Sequence, residues 1–250
     1  MTRRTPTAVT LMLSLSMAAH GEAIAPDITY RYEARMAMIN AGILSLELGR
    51  QQGIYEVLGQ FSTSRAMNKY YRWNGLFAAR GDWQNGRPQT EAYLTRSEGS
   101  DDSYKVVIYS PKETRRLRKA SEAFETRDKP QGVDLISALF IRPDCFQGSR
   151  VHDGEDDYEI KLLKRRTKTV NATSRYYSGP GIQCDYQVRD NKGRKRRIQI
   201  VLADINGSTV AVAASIKIPL LPDPAFRLLV SESTGAESSE KSTPVPVAGL

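Results

Sequence analysis

Three groups of residues in this chain could do chemistry if the fold brought them together. They are a histidine beside an aspartate, a run of carboxylates and two clusters of cations. His152 and Asp153 with Ser137 supply the members of a nucleophile, base and orienter set, in which the imidazole takes the hydroxyl proton and the carboxylate holds the ring. The residues around Ser137 (DLISALF) lack the G-x-S-x-G elbow that exposes a nucleophile, and the V-H-D-G run at 151–154 reads as an ordinary turn. Asp153, Glu155, Asp156 and Asp157 offer the hard oxygens that calcium prefers, but not at the spacing of an EF-hand loop, and a solvated turn explains them equally well. The chain has 2 histidines, His20 and His152, and removal of a leader carrying His20 excludes a two-histidine zinc site. Glu47, Glu56 and Glu91 fall in strand-like segments, and carboxylates paired across a cleft could hydrolyse a glycan. None of these sets reaches the spacing a catalytic site needs. The expectation is a non-enzymatic protein with no cofactor and no metal.

The cations are the stronger signal. Lys161, Lys164, Arg165 and Arg166 lie in one run (KLLKRRTK), and Lys192, Arg194, Lys195, Arg196 and Arg197 in a second (KGRKRR). Both lie at or near strand ends. Brought together on one rim, they would hold an anionic head group or polymer at the mouth of a concave sheet whose interior takes apolar chains. They also suit charged strand edges that prevent sheet-to-sheet aggregation.

These residues belong to an exported chain. Arg3 and Arg4 precede an uncharged run at 8–19 (AVTLMLSLSMAA), long enough for a signal sequence and too short to span a bilayer. Cleavage is expected after Ala23. A cut after Ala25 would leave Pro26 just beyond it, and no cysteine is placed to take a lipid anchor. Of 36 basic and 28 acidic residues, loss of Arg3, Arg4 and Glu22 leaves 34 and 27, a net charge of +7. That balance suits envelope lipid, lipopolysaccharide, peptidoglycan or an envelope protein, and for an exported protein it does not point to nucleic acid. No other apolar run reaches the roughly 20 residues of a membrane-spanning helix. The expected organisation is a signal peptide at 1–23, a single β domain at 24–230 and a Ser, Glu and Pro-rich tail at 231–250 too polar to order itself.

The positioning elements follow from periodicity. At 27–38 Tyr30, Tyr32, Ala34, Met36 and Met38 alternate with Arg31, Glu33 and Arg35, giving one buried face and one wet one. Segment 43–48 (ILSLEL) returns after a turn at Asn40-Ala41-Gly42, and 54–63 continues the meander. Residues 64–73 fit a short helix or a strand. Asn85-Gly86 marks a hairpin, 104–109 (YKVVIY) a core strand, and 112–125 either a basic, solvated helix or a hairpin partner. A short helix is expected at 133–142, with Asp134 in its first turn and Pro143 as its stop. Strands are expected again at 158–163, 184–188, 198–202 and 208–218. Cys145 and Cys184 are the chain's 2 cysteines, and in an oxidising compartment they form a disulfide, worth about 4 kcal/mol on the chain-entropy model.

The order Val133-Asp134-Leu135-Ile136-Ser137-Ala138-Leu139-Phe140, then Cys145, then Val151-His152-Asp153-Gly154 with Tyr158, resembles the exported bacterial family known as domain of unknown function 3108, over roughly residues 30–220. The resemblance implies a periplasmic, curved antiparallel sheet, similar to β-spiral envelope-integrity proteins and lipoprotein-carrier half-barrels. It implies no activity and carries no site residues. The expected fold is therefore mainly β, a single curved antiparallel sheet of β-spiral or half-barrel form with one short helix near 133–142. Two functions follow: a concave face that binds a lipid-like or anionic envelope component, or a scaffold that contacts peptidoglycan or an envelope protein. A hydrolase is the third, more remote, class.

Overall fold

The computed structural model describes residues 24, 26–70, 72–84, 87–99, 104–110, 112–118, 123–128, 132–141, 145–154, 156–217 and 223–230. The leader with Ala23, the 231–250 tail, the Asn85-Gly86 turn, Pro143 and Glu155 lie outside them. Strands β1 (Ile28–Met36), β2 (Ile39–Gln51), β3 (Ile54–Thr63), β4 (Trp73–Gln84), β5 (Arg87–Gly99), β6 (Tyr104–Tyr109), β7 (Thr114–Leu117) and β8 (Glu125–Arg127) form an antiparallel meander of sequence neighbours. Then come β9 (Val133–Asp134), helix α1 (Leu135–Phe140), β10 (Ser149–His152), β11 (Asp157–Val170), β12 (Gly179–Asp190), β13 (Lys195–Ile205), β14 (Ser208–Lys217) and β15 (Pro224–Leu228).

All fifteen belong to one sheet, and β15 pairs with β1, from Tyr32 opposite Leu228 to Met36 opposite Pro224. The first and last strands therefore lie at the sheet's centre, and its edges are β8 and β9. Neighbours pair antiparallel except β9 and β10, which run parallel. A parallel pair needs a crossover between its strands, and α1 lies in that connection.

The sheet curls until its β9–β10 edge rests against β5 and β6 without pairing to them. Thr90 Oγ1 on β5 donates to Asp134 Oδ2 (2.6 Å) and accepts from the Asp134 amide (3.0 Å). The His152 ring on β10 lies 4.8 Å from Tyr109 and 6.1 Å from Tyr93. Gly154 (φ +86°) follows at the turn, where a Cβ would come within 2.6 Å of Val107, so the approach requires both a left-handed backbone and no side chain.

The interior is built by period-two alternation. Leu44, Leu46 and Leu48 of β2 face the same side as Tyr55, Val57 and Phe61 of β3, and these are buried. Helix α1 is apolar except for the buried Ser137, as suits a helix enclosed by core. Ile136 and Phe140 pack with Tyr32 and Leu46, while Leu135, Ala138 and Leu139 pack with Val151, Ile160 and Tyr186. The helix thus divides the space inside the curl in two.

The expected curved, mainly antiparallel sheet with one short helix is what forms, and the structure differs from or decides between the sequence expectations locally. The helix occupies Leu135–Phe140 rather than 133–142, because Val133 and Asp134 spend their backbone in the ladder to β10. Residues 64–73 contain a 3-10 turn at Met67–Lys69, and β4 begins at Trp73. Within 112–125 the described residues Thr114–Leu117 form strand β7, which pairs with β6 and β8, and not a basic helix. Arg116 is buried on β7 and binds Glu125 at 2.6 Å. Glu33, on the face of β1 expected to be wet, is 1% exposed. It accepts from Tyr176 Oη (2.8 Å) and pairs with Arg175 (2.9 Å), so the loop between β11 and β12 covers it. No helix among the described residues is long and apolar enough to cross a membrane.

Candidate functional site

The site is an apolar cavity of about 250 Å³ between α1 and the concave face of β10 to β14. Leu135, Ala138 and Leu139 form its helix wall, and Tyr158, Ile160, Tyr186, Val188, Ile198 and Ile200 its sheet wall. The sheet wall follows from alternation: inward residues of β12 and β13 sit opposite one another in register, Tyr186 with Ile198 and Cys184 with Ile200. Phe226 of β15 reaches the same space.

Two devices hold the helix wall in place. Asp134 caps the helix, its Oδ1 accepting from the Ser137 amide (2.8 Å), while its Oδ2 takes the Thr90 hydroxyl. The Cys145–Cys184 disulfide, with Cα atoms 5.7 Å apart, ties the segment after α1 to β12. It brings Phe146 onto Tyr186, ring centroids 5.1 Å apart and planes 29° from parallel. Tyr158 Oη donates to Asp153 Oδ2 (2.9 Å), and burial with the nearby Asp153 carboxylate pushes the phenol well above its ordinary range.

The mouth of the cavity is polar and mostly basic, formed by Asp190, Arg194 and Arg196 at the β12–β13 turn. Asp190 Oδ1 accepts from the Lys192 and Arg194 amides (3.0 and 2.9 Å), and its Oδ2 from Arg194 Nε (2.6 Å). Desolvation raises the Asp190 carboxyl, but the Arg194 and Lys192 hydrogen bonds outweigh it and hold the pKa below its ordinary value. Arg196 makes no ion pair with another described residue. The Tyr158 phenol feels its positive charge.

The two basic runs do not share one rim. Successive strand residues point to opposite faces, so Arg194 and Arg196 reach the cavity mouth while Lys195 and Arg197 face away. Lys161, Gln187, Arg197 and Lys217 form a transverse row on the outer face of β11 to β14. Lys164, Arg197 and Lys217 border a shallow outer depression with Asp185, which Arg166 approaches at 3.7 Å. Arg165 lies opposite Cys184, and Lys192 is exposed in the turn.

The imagined catalytic sets are used otherwise. His152 is wholly buried, with Nδ1 accepting from the Gly154 amide (3.2 Å) and its ring packed on tyrosines. It closes the curl, a role that a V-H-D-G run does not announce. Ser137 stands beside Tyr55, whose phenol burial pushes up to about 12. Asp153 Oδ1 accepts from the Asp156 amide (2.9 Å), the Asp156 carboxylate accepts from Asn191 Nδ2 (2.8 Å), and no group of three or more candidate metal ligands occurs among the described residues. Glu56 is taken by Arg80 at 2.7 Å, and Glu47 and Glu91 are exposed.

No family model and no curated protein matches the chain, so the likeness to domain of unknown function 3108 gains nothing from them. Among solved structures the chain is similar to a β-barrel-like protein of domain of unknown function 1849 from Brucella abortus. That match has 10% identity and a TM-score of 0.48, and covers 80% of this chain and 94% of that one. The strand pairing itself defines the fold.

Proposed function

We propose that this is a non-enzymatic periplasmic protein that binds one slim apolar group with an anionic end, a lipid-like component of the envelope. The observation that carries this reading is the cavity under α1, apolar along its walls and bearing Arg194 and Arg196 at its mouth. Ligand pockets commonly hold about 300–1,000 Å³. At about 250 Å³ this one suits part of a single acyl chain and not a multi-chain lipid in full. The chain would lie against Tyr186, Ile198 and Ile200, and Arg196 would meet the head group, Arg194 being shared with Asp190.

The test is to export the chain, purify it with the disulfide intact and compare native with denatured mass. A native excess that moves into an organic extract, and that falls in Arg196→Glu, supports the reading. A native mass equal to the bare polypeptide, unchanged after incubation with lysophospholipid or fatty acid micelles, overturns it. One observation favours a second function. The outer basic row of Lys161, Arg197 and Lys217 offers a surface to an anionic wall polymer, which suits a scaffold that contacts peptidoglycan. Sedimentation with purified peptidoglycan, lost in Lys161→Glu with Arg197→Glu and kept in Arg196→Glu, would decide for it.

A further inference from the structure

A second site lies on the opposite face of the other half of the sheet. The Ile24 amide donates to Glu56 Oε2 at 3.1 Å, while Glu56 Oε1 receives Arg80 at 2.7 Å. Ile24 and Pro26 border an outer groove of about 380 Å³ with Leu58, Ala78, Leu94 and Ile108. Those four apolar residues stand side by side in register on β3, β4, β5 and β6. The approach to the groove is held firmly. The Asp27 amide donates to Leu48 O (2.8 Å), and Asp27 Oδ2 accepts from the Arg50 amide (2.9 Å).

We infer that Glu56 is a receptor for the chain's own processed amino terminus, the Ile24 α-ammonium released by cleavage after Ala23. Hydrolysis of the Ala23–Ile24 peptide bond puts the water oxygen on the Ala23 carboxylate and leaves an amine at Ile24, which is protonated at neutral pH. A single-proton amide donor then becomes an ammonium on the carboxylate it already contacts. The charges suit this change. Before cleavage Glu56 and Arg80 cancel, leaving Glu47 of β2 as the further carboxylate in the groove. After cleavage two anions face two cations. Strands β5 and β6 present the apolar Leu94 and Ile108 there, and Asp27 is engaged by the Arg50 amide. A cut after Ala25 would delete Ile24 and with it the contact. The inference is independent of the cavity under α1.

Pairing with a carboxylate raises the α-amine pKa above the roughly 7.7–8.0 of a free terminus. A raised folded pKa gives stability that is fully present below the unfolded pKa and lost as pH rises through the folded one. The exported protein, purified whole, should have the intact mass of a chain beginning at Ile24. Its α-amine, followed by acylation against pH, should titrate above about 8, and in Glu56→Gln it should react at pH 7 about three to ten times faster. The melting temperature lost in Glu56→Gln should be larger at pH 6.5 than at pH 10, because Arg80 remains charged throughout. An amino terminus at another residue overturns the inference, as does an α-amine in the wild-type protein that titrates at or below 7.7. The wild-type titration decides the matter even if the variant fails to fold.

Discussion

The two halves of the interior differ in how completely they are filled. On one side of α1, Leu46, Tyr55 and Val57 are almost wholly buried, and large aromatic residues such as Tyr32, Phe61 and Trp73 fill the span between strands. On the other, β10 to β14 supply mostly Ile, Val and Ala to a wall facing the helix, and a cavity remains. Apart from the β1–β15 junction, the strands of both halves pair with their sequence neighbours, so local hairpins bring the large side chains of the filled half together. The half with the cavity depends in addition on a six-residue helix held by a cap and a disulfide. Filling stabilises; a cavity kept open by such constraints gives up some packing and leaves room for a ligand.

The largest expected effect comes from removing that constraint. Replacing both Cys145 and Cys184 by Ala, a separation of 39 residues, should cost about 4 kcal/mol, and at about 2–4 °C per kcal/mol lower Tm by roughly 8–16 °C. Calorimetry that shows less than a 2 °C change would mean that α1 needs no tether. Next, paired truncations compare the halves directly. Leu46→Ala in the filled half should cost about 3 kcal/mol, whereas Leu139→Ala, which borders space already empty, should cost about 2 kcal/mol in urea unfolding. Equal costs would mean that the cavity is closed in solution.

The smallest effect concerns the mouth. The Asp190 carboxyl is held below its ordinary 3.8, so its stabilising contribution is present above about pH 4 and disappears as pH falls through the depressed value. Asp190→Asn should therefore melt slightly below the wild-type protein at pH 7 and together with it near pH 2. A gap that persists at pH 2 would show that the turn depends on shape and not on the carboxylate charge.

Much of the local structure was legible in the sequence. Alternation in 27–38 and 43–48 marked β1 and β2, and a count of two cysteines marked the disulfide. The misses share one cause. Glu33 sits at a polar position of an alternating strand, and its burial comes from Tyr176 and Arg175, more than a hundred residues away. His152 looked like a turn residue because Tyr93 and Tyr109, the rings it packs on, lie on strands far from it in sequence. The basic runs at 161–168 and 192–197 looked like one rim, and the second of them does not even keep to one face. The same period of two that marks its strand divides it between two faces, and placing its turn beside α1 required the fold.

By itself the sequence determined what depends on neighbouring residues: the class of fold, most strands, the position of the helix and the pairing of the cysteines. Periodicity, turn chemistry and a count of two thiols act locally or admit one solution. Only the tertiary structure decided that β1 lies beside β15, that the β9–β10 edge rests on β5 and β6, and that a cavity with Arg194 and Arg196 at its mouth remains under α1. Those outcomes turn on contacts between strands distant in the chain, whose energies no local pattern encodes, and on the small volume left once the rest of the interior is packed.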